Sequence, residues 1–473
     1  MRKLTMAAML LVGLAWSTPS AEAAVKLHGL FTDNMVLQRD MNAPIWGTAD
    51  PGEDVAVQIF TKPDSKEPTV NLGTRADKDG KWQVMVAPMP AGGPYTVTVK
   101  GKNNQIDLKN VLLGEVWIAS GQSNMEWELS KTRDPKEVIA NSKNAKIRLF
   151  DVPKTPNATP QRELGAVKAA GKGRQFGRWM ECAPDTVTNF SAVGYYFGRK
   201  LEKDLNVPVA IINCSWGGVA AERYTSKKVL DANPEFKTIT AKNNSDLYNG
   251  MIVPLQPFAF RGVIWYQGES NAGRAKQYFH LMNAMIQDWR DDWKQGDFPF
   301  LTVQLAPYDP GNYAEIREAQ QMTSFRVKNS GMAVITDAGD HKNIHPPDKL
   351  PVGERLALAA EAIAYKKKVE YTGPLYDGVK FEGDKAILTF KNVPGGLMAK
   401  GGPLTGFTIA GKDGKFAKGE ATIVENTVIV RSPVVLQPTA VRYGWANYPE
   451  VNLYSKGGLP ASPFRTDVPA YYK

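Results

Sequence analysis

The feature that most constrains this chain is a repeated change of texture between residues 110 and 368. Apolar runs of strand length alternate there with segments of helical spacing. The runs are "VLLGEVWIAS", "NVPVAIINCSW", "RGVIWYQGES", "FPFLTVQLAPY" and "GMAVITDAG". The helical segments include "SAVGYYFGRKLEKDL", "AKQYFHLMNAMIQDWRDDW" and "GERLALAAEAIAYKK". Strands that are apolar on both faces need cover on both, and helices between successive strands supply it. The pattern predicts an α/β unit with a parallel sheet between two helix layers. In such a sheet, the segments leaving the carboxyl ends of the strands gather along one edge. Residues distant in sequence then share one cleft.

The flanks have a different texture. Residues 24–109 carry "VAVQIF", "KWQVMV" and "YTVTVK", separated by the turn clusters "ADPGED", "ADKDGK" and "PAGGP". Short strands at this spacing predict a small β-sandwich. Residues 369–473 return to strands in "KAILTF", "GFTIAG", "ATIVENTVIV" and "AVRYGW", which predicts a second β module. Residues 1–23 begin with Arg2 and Lys3, continue through a short apolar core and end in Ala21-Glu22-Ala23. That is the form of a secretory signal, so the expected location is outside the cytoplasm, periplasmic or secreted. Neither this run nor any later one has the length of a membrane span.

Charge narrows the partners. The formal net charge is +10, but the lysines are dispersed rather than gathered in a stripe, so no nucleic acid partner is expected. Two cysteines, Cys182 and Cys214, fit either a disulfide of an exported protein or two buried thiols. No Cys/His spacing suggests a metal site, and none is expected.

Four polar segments follow strands: "SGQSNMEW" (120–127), "CSWGGVAAERY" (214–224), "WYQGESNAG" (265–273) and "DAGDHKNIHPPDK" (337–349). All four fall on the expected carboxyl edge. Ser123, between Gln122 and Asn124, is the candidate nucleophile, although Met125 stands where a G-x-S-x-G elbow has its second glycine. A serine needs a base, and the chain has four histidines. His28 belongs to the first β module, His280 to a helix, and His341 and His345 to the fourth polar segment. His345 is the candidate base. Asp337, Asp340 and Asp348 are near enough in sequence to orient it. The Gly217 and Gly218 amides are candidate oxyanion donors, with the Gln267 and Asn271 side chains beside them. Of Trp127, Trp216, Trp265, Tyr224 and Tyr266, most are expected in the core. One or two fit a flat wall against which sugar rings stack.

With these motifs in place, the chain resembles the sialate O-acetylesterase family of carbohydrate esterases. The resemblance runs nearly end to end, through "LFTDNMVLQRDMNAPIWGTADPGEDV", "GEVWIASGQSNMEW", "SWGGVAAERYTS", "WYQGESNAG", "IHPPDKLPVGERLALAA" and "VRYGWANYPEVNLYSKGGLPASPFRTD". It implies an SGNH-like, three-layer catalytic domain over 110–368, flanked by N- and C-terminal β-sandwich modules. It implies hydrolysis of O-acetyl esters on sugars, foremost O-acetylated sialic acids, through an acetyl-serine and without a cofactor. Ser123 would be the nucleophile and His345 the base, with Gly217, Gly218 and the Ser123 amide as oxyanion donors. Many SGNH hydrolases carry Asp three residues before the histidine; here Lys342 stands there, which leaves the carboxylate to Asp337 or Asp340. The third block reads "QGESN", making Gln267 the expected oxyanion amide with Glu269 and Asn271 in support. The same site would also suit acetylated xylan or xyloglucan. A carbohydrate-binding protein without catalysis is the remaining reading.

Overall fold

The structure, a computed structural model, describes residues 24–62, 64–166, 175–239 and 242–472. The signal-like segment 1–23 lies outside the described residues.

One strand organises the molecule. Gln105–Gly121 runs for 17 residues, and from Val111 onward every residue is buried. Its first half pairs antiparallel with Gly92–Lys100 and parallel with Val36–Gln38, both in the N-terminal module. Its second half is the centre of the large, mostly parallel sheet, where Val209↔Glu115 and Gly262↔Trp117 begin parallel pairings on its two sides. The sheet order is Trp179–Cys182, Asn144–Asp151, Val209–Ser215, Gln105–Gly121, Gly262–Tyr266, Phe300–Val303 and Ser330–Ala333. The first of these is an antiparallel edge strand and the rest run parallel.

The helices follow from the pleat. Trp117 lies opposite Gly262, so Trp265, three residues further along the neighbour, points to the other face. Trp117 packs on Phe197 of the helix Ala192–Leu205 at 5.1 Å. Trp265 meets Trp289 of the helix Ala275–Trp293 at 6.2 Å. Both faces are covered, as continuous apolar strands require.

The division expected at 109/110 falls inside the long strand, so the N-terminal module and the catalytic region share backbone and one continuous core. Their seam is pinned by Glu115. Its buried carboxylate takes Arg39 at 2.6 Å, Arg261 at 2.8 Å and Gln38 at 3.0 Å. Burial alone would raise this carboxyl; the two guanidiniums and the Gln38 amide outweigh it and hold it below its usual value.

The C-terminal module has its own core, including Leu388, Ile409, Val428, Val430 and Val441. It docks through polar contacts. Arg465 grips Glu318 at 2.8 and 2.6 Å, and buried Arg317 donates to the Ala446 and Asn447 carbonyls at 2.8 and 2.7 Å. The last residues return to the catalytic region, where Tyr472 packs edge-on to Phe279 at 4.9 Å. Cys182 and Cys214 are free buried thiols, which settles the alternative left open by the sequence. Burial pushes Cys182 up to about 12. No helix among the described residues is long and apolar enough to cross a membrane.

Candidate active site

The central strand ends where its backbone must turn sharply against its neighbour. Gly121 has φ +130°, and a Cβ there would lie 2.2 Å from the Tyr266 carbonyl oxygen. The next amide, Gln122 N–H, donates to that carbonyl at 3.0 Å. Ser123 then opens the short helix Ser123–Glu126. Met125, at the place of the elbow's second glycine, is fully buried, and its carbonyl accepts from Ser191 Oγ at 2.6 Å. The tight approach is made by the glycine before the serine, so a side chain is accommodated after it.

His345 Nε2 lies 2.7 Å from Ser123 Oγ. The histidine comes from an irregular loop, and two contacts from the nucleophile segment hold that loop. The Trp127 ring stacks on the imidazole at 4.9 Å and 18°. Asn124 Nδ2 donates to the Ile344 carbonyl at 3.0 Å. Burial first, and the nearby Lys349 ammonium second, lower the His345 pKa from its ordinary value. A lowered value leaves the ring neutral and able to accept a proton at neutral pH.

The three aspartates near His345 in sequence are occupied elsewhere. Asp337 binds the Arg355 guanidinium in a two-pronged pair at 2.6 and 2.7 Å. Asp340 Oδ1 accepts the Lys342 and Asn343 amides at 2.9 and 3.1 Å, closing a turn. Asp348 faces Arg133 at 3.9 Å. Among the described residues none of the three hydrogen bonds to the imidazole, and the ring is oriented by stacking instead.

Beneath the Ser123–His345 pair lies a buried polar brace that sequence reasoning passed over. Lys349 is fully buried; its ammonium donates to Asn124 Oδ1 and sits 5.9 and 5.3 Å from the Trp127 and Tyr266 ring centres. Asn124 Nδ2 also donates to Glu269 Oε1 at 2.5 Å. Burial pushes Lys349 down to about 7 and raises the Glu269 carboxyl. Three of the four polar segments are thus tied through one asparagine. The available signal was "SNMEW": polar side chains on consecutive residues of a turn otherwise buried in the core.

The expected oxyanion donors fall into two groups. Gly217 lies beside Ser123, since a Cβ on it would come within 3.4 Å of Ser123 Cβ, but its amide is turned to a carboxylate. That amide donates at 2.6 Å to Glu126 Oε2, whose other oxygen takes Lys154. Gly218 is exposed, with φ +72°. Gln267 and Asn271 are buried within the framework. Gln267 Nε2 donates to Gln122 Oε1 at 3.1 Å, Val219 O at 3.2 Å and Asn271 Oδ1 at 2.7 Å, so its hydrogens are spent. Asn271 Nδ2 donates to Glu222 at 2.9 Å. Gln122 is buried and serves as acceptor for this network. Trp216 is half-buried beside Gly217, with Lys154 and Arg223 over its ring at 5.3 and 5.7 Å. Trp265, Tyr224 and Tyr266 are core residues. Among the described residues no group of three His, Cys, Asp or Glu side chains is placed to hold a metal ion.

Residues 113–361 match the family described as "Carbohydrate esterase, sialic acid-specific acetylesterase". Sialate O-acetylesterase of Pongo abelii is 30% identical over 418 residues, 79% of this chain and 78% of that protein. The Homo sapiens sialate O-acetylesterase is 29% identical over the same shares. A crystal structure of a carbohydrate acetylesterase from Xanthomonas citri superposes with TM-score 0.86 at 39% identity, covering 94% of this chain and all of that one. The protein is therefore a carboxylic ester hydrolase. Within that class, the chain belongs to the sialic acid-specific acetylesterase family of carbohydrate esterases.

Proposed function

We propose that the protein removes O-acetyl groups from sugars, foremost O-acetylated sialic acids, through an acetyl-Ser123 intermediate on an SGNH-type catalytic domain. The observation that carries this reading is the 2.7 Å contact between Ser123 Oγ and a half-buried histidine of lowered basicity. His345 Nε2 takes the hydroxyl proton as Oγ attacks the acetyl carbonyl. The carbonyl oxygen gains negative charge beside the Ser123 amide, at the start of a helical turn, and beside the exposed Gly218 amide. Collapse releases the sugar oxygen, which takes the proton from Nε2. Water then gives a proton to His345 Nε2 as it attacks the acetyl-serine, and on collapse Nε2 returns that proton to Ser123 Oγ, releasing acetic acid and restoring the free serine and neutral histidine.

Trp127 does the orienting that a carboxylate does in a full triad, by fixing the plane of the ring. The Lys349–Asn124–Glu269 brace fixes the distance between the nucleophile turn and the base loop. The test is acetate release from O-acetylated sialic acid, from acetylated xylo-oligosaccharides and from 4-nitrophenyl acetate. Release is expected from all three to different extents, fastest from the sialic acid, and is expected to vanish in Ser123→Ala. Undiminished turnover by a folded Ser123→Ala protein sinks the mechanism; faster turnover of xylo-oligosaccharides sinks the sialic acid preference. Binding of sugars with no ester cleaved would leave the protein a lectin.

A further inference from the structure

A cleft of about 880 Å³ is lined by Arg223, the residue that lies over Trp216, and the ester-cleaving site does not use it. Its volume falls within the roughly 300–1,000 Å³ of small-molecule sites. Its walls come from two segments that leave carboxyl ends of the catalytic sheet. Pro156 to Ala158 follow the strand Asn144–Asp151, and lining residues between Arg223 and Ile239 and from Lys242 to Asp246 follow the strand Val209–Ser215. The cleft thus lies on the ligand-binding edge of the fold. Arg223 joins it to the active site, since its guanidinium lines the cleft and also lies over Trp216. Trp216 in turn is followed by Gly217, where an added Cβ would lie 3.4 Å from Ser123 Cβ.

We propose that this cleft binds the sugar units attached to the one whose acetyl ester sits at Ser123, so that the enzyme acts on an oligosaccharide. The inference rests on the esterase reading above. Three features of the lining suit hydroxyl-rich rings. Arg223 is paired with Asp246 at 2.6 Å and Lys227 with Asp231 at 2.8 Å, while Lys237 and Lys242 add ammonium donors for hydroxyl and carboxylate oxygens. Leu230 and Ile239 give apolar patches next to Asn243 and Asn244. Two polar atoms of the wall, Ser245 Oγ and Asn244 Oδ1, are buried with no hydrogen-bond partner. Such orphaned groups are uncommon in a native fold and gain when a ligand supplies the missing bond.

An oligosaccharide seated this way spends binding energy remote from the ester on positioning the ester. With the cleft filled, kcat/KM for an acetylated trisaccharide should exceed that for the matching acetylated monosaccharide by about tenfold or more. Asn243→Trp, at an exposed position of the rim, is expected to fill the cleft and bring that ratio near one. It should leave 4-nitrophenyl acetate hydrolysis and the melting temperature unchanged. Lys237→Ala, also at the rim, should lower the ratio partway. A ratio near one in the unaltered protein, or a ratio untouched by Asn243→Trp, overturns the proposal. Sialyl and xylo-trisaccharides, run in parallel, tell which chain the cleft prefers. If no ester is cleaved at all, the esterase reading has failed separately. Calorimetric titration of Ser123→Ala with the deacetylated trisaccharides then still decides the cleft. Binding weakened by Asn243→Trp supports it, and equal binding overturns it.

Discussion

The two halves of the reaction centre are built in opposite ways. Ser123 follows the buried second half of the long central strand, which is fixed on both sides by parallel neighbours and by Gly121 against the Tyr266 carbonyl. His345 stands in an irregular loop whose preceding residues, His341 to Asn343, are exposed. The proposed nucleophile is held by its own backbone. The proposed base is held by Trp127 and Asn124, reaching from the Ser123 segment, and Asn124 is itself bound by Lys349. A regular element thus carries Ser123, and the placement of the irregular loop is borrowed from it. Damage to the first half should abolish chemistry. Damage to the second should loosen it or change its pH dependence.

The largest effect is expected at the first half. Ser123→Ala should lower kcat by roughly 10⁴-fold or more, because nucleophile and base act as a unit. The melting temperature should stay within about a degree, since a half-buried hydroxyl is lost and no large cavity forms. Acetate release and thermal unfolding measured on one preparation check both. A stable variant with substantial turnover would mean the comparison has the wrong nucleophile.

Next comes the stacking residue. Trp127→Ala removes the ring that sets the imidazole plane, so kcat should fall by about 10–100-fold, the scale of a misplacement near 1 Å. Trp127→Phe keeps a stacking face and should recover most of it. KM should move much less than kcat in both. Equal loss in the Ala and Phe variants would show that Trp127 acts by packing and not by orienting the ring.

How far the sequence announced this asymmetry depends on whether a feature is local. The strand–turn–helix around Ser123 is visible in eleven consecutive residues, because an apolar run stopping at Gly121 has few other meanings. His345 could be reached by elimination among four histidines. The brace could not, since Asn124, Glu269 and Lys349 meet only after three loops converge, and a lysine near a loop end ordinarily reads as solvated. Gln267 illustrates the reverse. An amide in a Gly-rich loop at the right edge looks like an oxyanion donor, yet burial commits it to the framework under Gln122. The expected break at 109/110 was hidden for a related reason. The strand texture continues through it, and only the change of partners from Gly92–Lys100 to Val209–Ser215 marks the passage between regions.

The buried lysine offers a subtler test. His345 works as a base only when neutral, so activity is lost as pH falls through its pKa. Burial and the Lys349 charge both lower that pKa. Lys349→Met removes the charge, lets the His345 pKa rise, and should move the acid limb of the kcat/KM profile to higher pH. Since Lys349 itself is lowered to about 7, the shift should be seen below that pH, where the ammonium is charged. The double variant Lys349→Met/Glu269→Gln avoids leaving a buried carboxylate facing no cation and should show the same shift with less loss of stability. A profile reduced in height but fixed in pH would mean that Lys349 holds the loop and does not tune the base.

The smallest effect is expected where the sequence pointed to a triad carboxylate. Asp337 is bound in two-pronged fashion by Arg355 of the helix Leu350–Ile363, which tethers the start of the base loop to that helix. Asp337→Asn should therefore cost about 0.5–1 kcal/mol of stability, as partly exposed ion pairs do. It should change kcat/KM by less than about threefold, against the roughly 10⁴-fold loss known for neutralising a true triad aspartate. The pair of measurements separates two architectures that look alike in sequence. A fall of several thousandfold in kcat with little change in melting temperature would place Asp337 on the imidazole during turnover. The base loop would then have to release Arg355 when substrate binds, and its irregular backbone would be a moving part instead of a tethered one.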